Sequence, residues 1–217
     1  MKRIILSTLL LFTATLAVHP QNAKPSATVT DEQWMKLLVA INDEQWDSSF
    51  NLASEYMKKL DKDDERLPKL RYIYLYAAAG EILKGKLSKD KLGEGLKEFI
   101  GAKIVMPPRE IALDCDRSFN YICPAKGRED VLVTTASDKT ATHILAFEYI
   151  KLQEKFDVSP HEGEMASVGG IIQSIQLSPE GAVIWAMRIV VEKGFITIRE
   201  QSKPSVRLGK PSKTSAR

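Results

Sequence analysis

Cysteine and histidine are scarce in this chain, with two and three residues among 217. Cys115 and Cys123 lack the CxxC spacing of a redox pair, and neither has the companion His or Cys cluster that a zinc site requires. No apolar run is long enough to span a bilayer: the longest, residues 4–18, falls short of the roughly 20 residues a spanning helix needs. No catalytic or cofactor motif stands out from background, so the sequence implies no cofactor and no metal.

The apolar run lies where an export signal would. Lys2 and Arg3 precede it as a basic n-region, and Thr15-Leu16-Ala17 places small residues at the positions a signal peptidase reads. Residues 1–17 are therefore expected to be a cleaved signal peptide and 18–27 a flexible lead-in, giving a periplasmic or secreted protein with no remaining span. No Cys follows the run at a lipobox position, which argues against a lipid anchor. In an oxidising compartment Cys115 and Cys123 are expected to form a disulfide.

The formal charge of +3 is misleading until it is divided. Without Lys2 and Arg3 it is +1, and residues 201–217 alone carry five cations and no acid. The folded body is thus near −4, and the basic character belongs to a tail that reads as disordered. That tail is either solvated or a contact for anionic lipid or polysaccharide. Nucleic acid is not an expected partner.

Residues 28–101 carry helical periodicity. Thr30 and Gln33 form a capping box ahead of Trp34, Leu37, Leu38 and Ile41. A second helix is expected over 45–60, capped by Asp43, with Trp46, Phe50, Ala53 and Tyr56 or Met57 on one stripe. A third, 66–83, is apolar around much of its circumference and should be central; Pro68 suits its first turn and Gly85 its end. Ser88 can cap a fourth over 89–100, where Gly93 and Gly95 each weaken the helix by about 1 kcal/mol.

Residues 102–200 read as strands: 103–106, 131–135, 143–152, 168–177, 182–191 and 195–199. Ser178-Pro179-Glu180-Gly181 and Glu192-Lys193-Gly194 look like tight turns, so the last three strands should form an antiparallel meander. The expected fold class is α+β: an N-terminal helical bundle followed by a C-terminal antiparallel β-sheet or small barrel.

Two stretches resemble known families. Leu52, Ala53 and Tyr56, with Tyr72, Tyr76 and Ala79, resemble one tetratricopeptide-type hairpin over residues 45–83, although the turn is long and no second copy is present; the resemblance implies a protein-binding scaffold. Residues 165–199, with Gly169-Gly170 placed to bend a long strand, resemble the meander of an oligonucleotide- or oligosaccharide-binding barrel.

Candidate sites follow from clustering. Trp46, Tyr72 and Tyr76 would suit a partner surface if exposed, since such residues anchor interfaces; otherwise they are core. Asp114 and Asp116 flank Cys115 and could share acid/base work or keep a disulfide loop soluble. His161, Glu162 and Glu164 lie in an expected loop without HExxH spacing. Glu148 alternates with Ile144 and Ala146 on the strand opened by His143, and if it points inward it needs a cationic partner. Ser137, Asp138 and His143 hold the letters of a hydrolase triad without a GxSxG elbow. Trp185 and Arg188, three apart, should lie on opposite faces of a strand. The favoured expectation is an exported non-enzymatic module binding a protein or an envelope component; an exported hydrolase-like enzyme and an oligosaccharide- or nucleic-acid-binding barrel are the alternatives.

Overall fold

The computed structural model describes residues 28–114, 120–140, 142–179 and 185–199. The segments read as a signal peptide and lead-in, Cys115, Asp116 and the C-terminal basic segment lie outside these residues. Among the described residues the fold is α+β, with four α-helices preceding seven strands.

Helix α1 (Asp31–Asn42) starts at the expected capping box: Thr30 Oγ1 accepts from the Gln33 amide at 3.2 Å, and Gln33 Oε1 accepts from the Thr30 amide at 3.0 Å. Asp43 does not cap the next helix but closes this one. Glu44 then takes a left-handed φ of 55°, and the Gln45 amide returns to the Ala40 carbonyl, so the backbone itself makes the corner. Helix α2 (Trp46–Met57) follows with no side-chain cap.

The charged turn before α3 (Leu67–Leu83) is held by Arg66, which donates to both Asp64 carboxylate oxygens and, through Nη1, to the Val29 carbonyl. As expected of a helix apolar on most sides, α3 is buried over most of its length. Gly80 has no Cβ because the Trp46 ring occupies that space: a Cβ there would sit 2.4 Å from Cδ2. Helix α4 (Lys89–Leu96) is shorter than its periodicity suggests and tightens into a 3-10 turn at Lys97–Phe99.

The strands are β1 (Lys103–Val105), β2 (Arg109–Glu110), β3 (Cys123–Ala125), β4 (Arg128–Ser137), β5 (His143–Leu152), β6 (Met165–Leu177) and β7 (Met187–Ile198). Their order is β1-β6-β7-β5-β4-β3, with β2 also pairing β6. Both β1 and β2 lie along β6, separated by Pro107-Pro108, which has no amide hydrogens to continue a ladder. Beyond β2, the Ile122 amide donates to the Glu110 carbonyl (2.9 Å) and the Ala112 amide to the Ile122 carbonyl (3.0 Å). This bridge joins the β6 side of the sheet to β3, so the sheet curls into a partly closed barrel.

Two strand expectations are corrected. The sheet is mixed, because β7 inserts between β5 and β6 and runs parallel to β5. The last segment is one long strand rather than two: Lys193, at φ 49°, and Gly194 form an irregularity within β7 instead of a turn. Gly169 and Gly170 do sit at a bend, where the β6–β7 register shifts. A Cβ on Gly170 would lie 2.5 Å from Val191 Cγ1, and one on Gly169 would lie 2.4 Å from the Ile104 carbonyl oxygen.

Candidate functional site

The aromatic face of the helices is turned inward. Trp46 and Tyr72 are buried and Tyr76 is half-buried. Trp46 meets Tyr76 edge-on with centroids 5.2 Å apart, and Tyr72 stacks against Tyr76 at 5.9 Å and against Phe147 of β5 at 6.2 Å. The Tyr76 hydroxyl donates to the Ser137 carbonyl at 2.7 Å, and burial pushes its phenol well above the ordinary range. The sheet therefore covers the face that the sequence offered as a partner surface.

Beneath that face lies a polar group the sequence did not mark. Arg109, on β2, is buried and donates to Thr134 Oγ1 (2.5 Å), the Thr135 carbonyl (2.7 Å) and the Tyr72 hydroxyl (2.7 Å). No carboxylate lies within ion-pair distance of it among the described residues. The only sequence signal was its position after Pro107-Pro108, where an exposed arginine is the ordinary expectation.

The remaining candidates are dispersed. Asp114 helps line an open hollow of about 1010 Å³ by the β3–β4 hairpin, together with Lys126, Arg128, Asp130, Val133 and Lys155. Asp116 is outside the described residues. His143 faces Ser137 across the β4–β5 ladder; its side chain is not described. The Asp138 carboxylate is engaged by the Thr140 amide and hydroxyl and by the Thr142 amide, and the buried Ser137 hydroxyl makes no hydrogen bond among the described residues. His161 pairs with Glu164 at 2.8 Å and stacks on Phe156, while Glu162 is exposed. No group of three His, Cys, Asp or Glu among the described residues could hold a metal.

Glu148 is where the sequence reading and the structure differ most usefully. It is exposed, because the β5 register shifts between Phe147 and Tyr149 against β7, leaving Glu148 as the extra residue. The condition for a required cationic partner, an inward side chain, is therefore not met, yet a cation is nearby: Arg188 Nε lies 3.0 Å from Glu148 Oε1, without hydrogen-bond orientation. Arg188 also lies 4.0 Å over the Trp185 ring. The two meet because Trp185 precedes β7, outside the strand alternation that would separate them. At Tyr149, the residue after Glu148, Arg128 stands 5.5 Å over the ring. Two arginine–aromatic stacks thus flank one carboxylate on an accessible face of the sheet.

Comparison of the chain with protein-family models, with curated proteins and with solved structures finds no match.

Proposed function

We propose that this protein is an exported, non-enzymatic binding module that takes a protein or another envelope component on the sheet face bearing Trp185, Arg188, Glu148, Tyr149 and Arg128. The observation that carries the reading is the pair of arginine–aromatic stacks flanking Glu148. Trp, Tyr and Arg concentrate binding energy because they combine a large rigid contact area with directed donors. The helical aromatic face, by contrast, is occupied by the protein's own sheet. Export rests on the basic and apolar N-terminal segment.

A hydrolase reading has less support. The Asp138 carboxylate is spent on a turn, and Asp114, His161 and Glu148 belong to three separate neighbourhoods.

Co-sedimentation of the mature chain with an envelope fraction tests the proposal. Trp185→Ala combined with Arg128→Ala should lower the bound fraction at least tenfold, whereas Met35→Ser, on the exposed side of α1, should leave it unchanged. Equal loss in both variants, or in neither, would falsify the assignment of this face.

A further inference from the structure

We infer that the ligand of this face is a neutral glycan chain rather than an anionic polymer; the inference rests on the binding-face reading above. Four strands present one register row here, Thr135–Ala146–Arg188–Gln176, and the next row on the same face is Tyr149–Val190–Ser174. Gln176 and Ser174 are exposed, and Trp185, Tyr149 and Arg188 are half-buried. Ala146, the smallest side chain of its row, lies low between Arg188 and Thr135. The result is a shallow surface with an aromatic ring towards each end and hydrogen-bonding groups between them.

The charge balance selects the ligand. Arg188 faces Glu148 at 3.0 Å, so this pair adds no net charge, and Arg128 over Tyr149, in no ion pair among the described residues, leaves the named face a single uncompensated cation, too little to hold a polyanion. An anionic polymer is held by uncompensated cations and releases counterions on binding. Both ionic groups nevertheless keep hydrogen-bonding capacity: among the described residues neither the Arg188 guanidinium nor the Glu148 carboxylate makes a hydrogen bond. A guanidinium offers five donors and a carboxylate about four acceptor sites. Gln176 and Ser174 add groups of both kinds. A ligand that satisfies donors and acceptors together, carries no charge of its own and lays an apolar C–H face on an aromatic ring is a polyhydroxylated sugar ring.

Affinity electrophoresis in native gels containing hydroxyethylcellulose, dextran or the polyanion polygalacturonate tests this, using the folded mature chain. The expected result is retardation by at least one neutral polymer, little changed between 50 and 300 mM salt. Trp185→Ala should weaken it at least tenfold and Glu148→Gln severalfold, with unchanged far-ultraviolet circular dichroism in both. Retardation confined to polygalacturonate and lost with salt overturns the inference, as does no retardation by any polymer. If the polymers fail while Trp185→Ala still abolishes envelope co-sedimentation, the glycan inference falls and the binding face stands. If Trp185→Ala leaves co-sedimentation intact, the face itself is wrong.

Discussion

Arg109 carries a full charge in the core, and its neutral partners set what its neighbours tolerate. Tyr72→Phe leaves packing against Phe147 and Tyr76 intact but strands one guanidinium donor that now reaches the Tyr72 hydroxyl. An unsatisfied buried donor costs about 1–3 kcal/mol. We expect the denaturation midpoint of Tyr72→Phe to fall by the equivalent of that loss divided by an unchanged m-value, and the double variant with Arg109→Met to lose less than the two single losses added together. Gly80 gives a second residue-scale test. Gly80→Ala puts a methyl group inside the Trp46 ring, and overpacking a core costs about 1–3 kcal/mol. Trp46→Leu in the same chain should recover part of that loss in urea denaturation, because the three atoms nearest the added methyl group all belong to the ring.

Elements were legible where their signal is local. The Thr30–Gln33 capping box, the all-round apolar α3 and the β5 span 143–152 could be read from spacing and composition, since each depends on residues a few positions apart. The closure from Glu110 and Ala112 to Ile122, the insertion of β7 between β5 and β6, and the burial of Arg109 depend on partners distant in sequence, and no periodicity encodes them. Within the candidate site, Glu148 was singled out from strand alternation, but the bulge that turns it outward and its neighbour Arg188 were not readable. Reading 182–191 as one strand set Trp185 and Arg188 on opposite faces, whereas β7 begins only at Met187. The entry to α3 yields a pH prediction. Hydrogen bonds from the Arg66 side chain and backbone hold the Asp64 carboxyl below its ordinary value of 3.8. A depressed folded-state value contributes stability above the unfolded pKa, which is lost as pH falls through the folded one. Stability of the wild type should therefore drop faster than that of Asp64→Asn below about pH 4, and the two thermal-unfolding curves should converge as acid is added.

At the scale of the whole molecule, export, the cysteines and the charge form one argument. A chain proposed to act outside the cytoplasm can keep a Cys115–Cys123 bond, and Cys123 is buried in β3, next to the Ile122 bridge that curls the sheet. Cross-linking at this point would restrain the segment that brings β3 to the strand carrying Arg109. In the chain-entropy model a loop this short contributes about 2–3 kcal/mol. Refolding the mature chain under oxidising and reducing conditions measures that contribution. The oxidised form should unfold at higher urea by the equivalent amount, and Cys115→Ser should abolish the difference between the two conditions. Removing residues 201–217 should change neither value, because it takes away five charges and no part of β7, which ends at Ile198. A reduced form as stable as the oxidised one would instead mean that the bridge at Ile122 holds without a covalent tie, and would remove the cysteines as support for export.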